Sequence, residues 1–182
     1  MNKRTEIAMF TRPFYYLRHG ETEANAAGTI AGSLDVELTK LGRDQARIAA
    51  RRLADAPITG IYASPLRRAR ETAQPIAEAL DLPVTILDEI AERNWGDLEG
   101  MPRHSHSRGV KPAGAESTEL FMQRVLSGFA CIDAEVPLLV AHSGVFRVLC
   151  RTLRIVETEG PVANCLPLRF EPVDGGWKLE EV

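Results

Sequence analysis

The side chains that could do chemistry in this chain stand directly after short apolar runs. Arg18 and His19 follow "FYYL", Arg67, Arg68 and Arg70 come just after "GIYAS", the acids Asp88, Glu89 and Glu92 follow "PVTIL", and His142 follows "PLLVA". If these runs are parallel strands, the crevice beyond their carboxyl ends gathers two histidines, at least two arginines and a carboxylate on one rim. The arginines after Ser64 fall where a helix should begin. That is the positive end of its dipole, which favours acids over bases. Solvation or pairing with acids such as Glu71 accounts for Arg67 and Arg70, but one arginine placed against the dipole is better explained by an anion held jointly with free backbone N–H groups. A lone histidine after a buried strand is more often a satisfied core residue than a catalyst. With His19 on the same rim, His142 reads as functional.

The elements that must position these residues are visible in the pattern. Segments 14–17, 60–64, 83–87, 137–141 and 167–173 are rich in β-branched and aromatic residues and read as strands. Between them, "SPLRRARETAQPIAEALD" reads as a helix capped by Ser64, with Pro65 at its first position, Leu66, Ala69, Ala73, Ile76, Ala77 and Leu80 on one face, and a bend expected at Pro75. A second helix starts after Thr39, a third carries the stripe Met122, Val125, Leu126 and Phe129, and a fourth follows "HSG". Alternating strands and helices predict an α/β fold, a three-layer α/β/α sandwich around a mostly parallel sheet with right-handed crossovers. The tail "VDGGWKLEE" adds a hairpin and an antiparallel edge strand. Residues 1–182 read as a single domain. The stretch 94–116 has neither period and is expected to form a short cap loop over the site.

Composition sets limits on partners. The chain has 182 residues, 45% hydrophobic and 26% charged, with a net charge of −3, as in an ordinary globular protein. No basic face or tail suggests nucleic acid or an anionic membrane, so neither is expected as a partner and any anion site must be local. Cys131, Cys150 and Cys165 are few and far apart, which suggests reduced core thiols in place of a disulfide framework or zinc site. The amino terminus shows no export signal, and no stretch approaches the ~18 apolar residues of a membrane span. A cytoplasmic location is expected.

Four motifs in order resemble the histidine phosphatase superfamily, in its phosphoglycerate mutase-like branch, over most of residues 14–170. "LRHGETEAN" is similar to the family's nucleophile signature and "AGSLDVELTKLGRDQA" to the segment after it. "YASPLRRARETA" resembles its S-x-L-x-R-A pattern, which maps the phosphate-binding arginine to Arg68. "ERNWGDLEG" resembles the acid-bearing segment, "VAHSG" the second-histidine motif, and "NCLPLRF" the approach to the last strand. Each motif alone is short, and four in order are specific. The resemblance implies catalytic roles for His19, Glu92, Arg18, Arg68 and His142, substrate contacts from Asn25, Gly32 and Ser143, no cofactor and no metal.

Physical reasoning fits those roles. Attack on a phosphate monoester needs an uncharged, in-line nucleophile and cations around the equatorial oxygens. His19 would attack through one ring nitrogen while the other donates to a backbone carbonyl. Arg18, Arg68 and a protonated His142 would form the clamp, and these cations should keep His19 neutral. Glu92 should be protonated when the ester binds, so that it can protonate the leaving alkoxide and later activate water.

The family includes mutases and phosphatases. The resemblance implies that mutases carry a longer insertion after the acid segment and a Thr-Gly pair after the nucleophile motif. Here the insertion is only "MPRHSHSRGVKPAGA", and Ala31-Gly32 stands for that pair. A short cap leaves a phosphohistidine open to water, so hydrolysis of a small-molecule phosphate ester is expected over mutase-type transfer. A binding module without turnover is a lesser alternative, since nucleophile, clamp and acid are all present. Arg103, His104, His106, Arg108 and Lys111 form either a grip on an acidic substrate or a solvated loop. A metal at His104 and His106 would lack ligands. A homodimer through the edge hairpin or an exposed helix is possible on this pattern.

Overall fold

The apolar runs become strands β1 (Phe14–Arg18), β2 (Gly60–Ala63), β3 (Val84–Ile86), β4 (Pro137–Ala141) and β5 (Leu168–Val173), and the tail becomes β6 (Gly176–Glu181). The computed structural model describes residues 7–105, 112–156 and 161–182. The six strands form one sheet in the order β3-β2-β4-β1-β5-β6. β3, β2, β4 and β1 are mutually parallel, while β5 runs antiparallel to β1 and β6 antiparallel to β5. The helices are α1 (Glu23–Ala26), α2 (Lys40–Leu53), α3 (Arg67–Leu80), α4 (Thr118–Ala130) and α5 (Ser143–Leu153). The α/β class and the antiparallel edge follow the sequence pattern.

Every residue of β1 and β4 is buried, because helices cover both faces of the sheet. Successive side chains of a strand point to opposite faces, and the two cores divide accordingly. Phe14, Tyr16, Leu139 and Ala141 join Phe121, Val125 and Phe129 of α4 and Val145 and Leu149 of α5. Tyr15, Leu17, Leu138 and Val140 join Ala46, Ala49 and Leu53 of α2 and Ala69, Ala73 and Ile76 of α3. The alanine-rich stripes let α2 and α3 lie close to the sheet and to each other. Among the described residues no helix is long and apolar enough to cross a membrane.

Local signals fared unevenly. Thr39 caps α2 by accepting from Gly42 N at 3.0 Å, as expected, and Ser117 caps α4 through Leu120 N at 3.1 Å. Ser64 is not a helix cap. α3 starts at Arg67 with Leu66 in the cap position and no side-chain cap, because the Ser64 hydroxyl is turned inward and engaged by His142. Pro75 lies inside α3 without ending it. On α4 the buried stripe is Phe121, Val125, Gly128 and Phe129, while Met122 and Leu126 are only partly covered. All three cysteines are free, but Cys131 is exposed at the end of α4 and is no core thiol.

Candidate active site

β1 hands the chain to His19 at the sheet's carboxyl edge, where His19 N donates to Ala141 O at 3.0 Å and extends the β1–β4 ladder by one residue. The imidazole is 5% exposed and its Nδ1 lies 2.7 Å from Gly20 O. A carbonyl only accepts, so Nδ1 carries the proton and Nε2 keeps its lone pair. Gly20 N donates to Thr72 Oγ1 at 3.0 Å, and Thr72 Oγ1 donates to Arg68 O at 2.7 Å. Thr72 thereby ties the His19–Gly20 turn to the first turn of α3.

Two arginines are buried beside it. Arg68 is 1% exposed, and its Nη1 and Nη2 donate to Leu34 O at 2.7 Å and Gly32 O at 2.8 Å. Arg18 donates from Nη1 to Val162 O at 2.7 Å. Among the described residues neither forms a salt bridge. Burying an unpaired charge costs several kcal/mol, which a fold seldom tolerates without purpose. Nε of Arg18, Nε of Arg68, Nδ1 of His142 and Oγ of Ser143 are all buried without a hydrogen-bond partner. These atoms belong to residues that meet around His19 and can point donors at one anion.

The protonation states sharpen this picture. Burial, then Arg68 and Arg18, hold His19 well below its ordinary value, so it is neutral; the cations anticipated from sequence come second to desolvation. Burial, then Arg68 and His19, push His142 well down too, so it is not the protonated member of the clamp that its motif suggested. Its Nε2 lies 2.7 Å from Ser64 Oγ, which already accepts from Leu66 N at 3.3 Å. No other acceptor engages the Ser64 O–H among the described residues, so donation to Nε2 satisfies it, and in that tautomer the ring's single proton sits on the unpartnered Nδ1. His142 contributes a neutral N–H donor, 5.2 Å from His19 between ring centroids. Arg68 is lowered to about 10, mainly by burial and against the pull of Glu92, and remains cationic at neutral pH.

Glu92 reaches the site from the loop after β3. Its Oε1 accepts from Arg93 N at 2.8 Å and its Oε2 from Gly144 N at 3.0 Å, at the start of α5. A side chain at Gly144 would put Cβ 2.1 Å from Glu92 Oε1, so only glycine allows this approach. Arg124 fixes the loop behind Glu92 by donating to Glu89 O at 2.7 Å and Ala91 O at 3.1 Å while its other nitrogens hold the Glu116 carboxylate. Asn25 lies within the short α1, where its Oδ1 accepts from Thr22 N and from Asn164 Nδ2, which leaves its amide N–H groups for a ligand.

A hollow of about 300 Å³ is lined by Arg18, His19, Asn25, Gly32, Arg68, Glu92 and Ser143. His142 packs against His19 beside it. Arg67 turns away to Glu37 and Glu71, as its pairing suggested, and Arg70 is exposed. The cap brings Arg103 to the same hollow, fixed by Arg103 N to Gly28 O at 3.0 Å and Nε to Thr29 O at 3.3 Å. His104 is exposed and lines neither this hollow nor its neighbour. His106, Arg108 and Lys111 lie outside the described residues. No group of three or more metal-ligating His, Cys, Asp or Glu side chains occurs among the described residues.

Sequence reasoning did not single out Ser64 as the partner of His142, nor Thr72 or Glu99. Glu99 Oε1 accepts from Ser33 N at 2.7 Å and Trp95 N at 3.0 Å. It also crowds Gly32, whose φ of +54° and missing Cβ let the carboxylate in. Its signal was its place in the acid-bearing motif, seven residues after Glu92.

Known proteins share this arrangement of motifs and fold. The chain is 34% identical over 176 residues to the uncharacterized phosphatase PhoE of Bacillus subtilis, covering 91% of each. It is 34% identical over 185 residues to a probable phosphoglycerate mutase, GpmB, of Yersinia pestis, covering 90% of this chain and 86% of that one. A mycobacterial glucosyl-3-phosphoglycerate phosphatase in complex with VO3 superposes with a TM-score of 0.78 at 27% identity, over 93% of this chain and 97% of that one. A family model matches residues 14–182, and with the His19 turn, the buried arginines and the second histidine on one sheet edge, the chain belongs to the histidine phosphatase superfamily, branch 1.

Proposed function

We propose that the protein is a phosphomonoester hydrolase that forms a phosphohistidine on His19 Nε2 and takes a small-molecule phosphate ester. The observation that supports this most is the set of four buried, unpartnered polar groups around a histidine whose open nitrogen is held neutral. The phosphate oxygens would complete the hydrogen bonding of Arg18, Arg68, His142 and Ser143, which places the phosphorus before Nε2. The Nε2–P bond forms as the ester P–O bond breaks, and Glu92 gives its proton to the leaving alkoxide. Glu92 then takes a proton from water as the water oxygen attacks phosphorus, the P–N bond breaks, and inorganic phosphate leaves. The arginines supply the charge stabilisation that a divalent cation supplies elsewhere, so no step requires metal.

Mutase-type transfer is the second reading, favoured by the likeness to GpmB. The short cap favours water as acceptor. The test is hydrolysis of para-nitrophenyl phosphate with EDTA present, together with trapping of acid-labile, base-stable phosphoprotein. Wild type should turn over and label, and His19→Ala should do neither while keeping its circular dichroism spectrum. A wild type that shows no hydrolysis and no phosphohistidine over a broad pH range removes the enzyme reading. A mutase assay with a bisphosphorylated activator decides between water and a second alcohol as acceptor.

A further inference from the structure

A second hollow, of about 270 Å³, lies between α4 and α5 and meets the His19 hollow along Glu92, Trp95 and Arg147. Its floor is apolar, made by Phe121 and Val148, both buried, with Met122 beside them. Trp95 forms a wall, with the Arg93 guanidinium stacked 4.6 Å from its ring centroid. At the far end stands Arg151, which is exposed and has no ion pair among the described residues. Three arginines and one carboxylate, Glu92, give the lining a positive balance on a chain whose net charge is −3.

Resting on the hydrolase reading above, we infer that this hollow receives the alcohol half of the ester, and that the favoured alcohol is a flat apolar ring system with an anionic group at its far end. Glu92 is the common wall because it must reach the leaving oxygen, so whatever that oxygen carries continues past Glu92 to Phe121 and Val148. α5 sets the length. Gly144 N holds Glu92, and Arg151 lies seven residues further along the helix, roughly 10 Å at 1.5 Å per residue. Two fused rings bearing a carboxylate span that distance. A small polyol would leave the apolar floor wet, and an apolar body without the distal charge would leave Arg151 unused.

Phosphate release from phenyl phosphate, 6-carboxy-2-naphthyl phosphate and the methyl ester of the latter separates the contributions, since the acid and its ester have similar leaving oxygens but differ in charge. Both naphthyl esters should exceed phenyl phosphate in kcat/KM by about tenfold through the buried rings. Met122→Trp, which fills the hollow, should erase that gain. The free acid should exceed its methyl ester by about fivefold at low salt. That ratio should fall toward one at high salt and in Arg151→Ala, whose exposed position spares the fold. Equal rates for acid and methyl ester in wild type, or a ratio that survives Arg151→Ala, would overturn the inference. Phenyl phosphate turnover without any naphthyl preference defeats this subsite alone. Absence of both phenyl phosphate turnover and phosphohistidine defeats the hydrolase reading instead.

Discussion

The corner around His19 and the strap that carries Arg103 both hold arginines toward the same hollow, by opposite means. In the corner, Arg18 and Arg68 are buried, seated on backbone carbonyls, and surrounded by donors without partners. On the strap, Arg103 is exposed and held by two bonds to the 28–29 turn, while Gly100 N and Ile30 N lace the strap to that loop. The corner is over-determined by strands, helix start and burial, so under the proposed function it would enforce one geometry on a phosphoryl group. The strap rests on a few exposed bonds and suits discrimination among the groups that phosphate carries.

The largest effect expected from breaking that contrast is at Arg68. Arg68→Met should lower kcat/KM by about 10³-fold and abolish the rise in thermal midpoint that inorganic phosphate should give the wild type. An equal loss from Arg103→Met would show that corner and strap are not different in kind. Next is Glu92→Gln, which should cost about 10²-fold for alkyl phosphates and far less for nitrophenyl phosphate, because only poor leaving groups need the proton. Equal losses on both would mean that Glu92 positions the substrate and does not protonate it.

The corner also carries a pH signature. His19 and His142 are held well below 6.5 in the native protein, chiefly by burial, whereas in the unfolded chain each takes up a proton near that value. The unfolded state then binds more protons, so stability is whole above about pH 6.5 and is lost as the pH falls below it. Urea unfolding should show a loss of roughly 2–3 kcal/mol between about pH 7.5 and about pH 5.5. Replacing both histidines with asparagine should flatten most of that slope. The smallest effect belongs to Arg103→Ala, about a few-fold in KM with kcat retained, since an exposed arginine adds little to a phosphate already clamped.

What could be read in the sequence was whatever obeyed a period or a local rule. The apolar runs "FYYL" and "PLLVA" announced β1 and β4, Thr39 announced α2, and the charged residues after the strands pointed to the edge where parallel strands end. What escaped depended on competition between partners. A serine before proline and leucine reads as a cap, and only the fold reveals that His142 claims its hydroxyl. The charge on His142 escaped for the same reason, since motif spacing carries no information about desolvation. Arg103 comes from a loop without a period, so its approach to Thr29 could not be deduced from position.

Glu99 gives the molecule a hinge pin. One carboxylate oxygen accepts both the Ser33 and the Trp95 amides, and Ser33 adjoins the carbonyls that seat Arg68 while Trp95 walls both hollows. Any group that pushed Trp95 aside would pull on the joint that flanks the carbonyls seating Arg68. Under the proposed function, misfit at the organic end of a substrate would be felt at the charge that grips its phosphate.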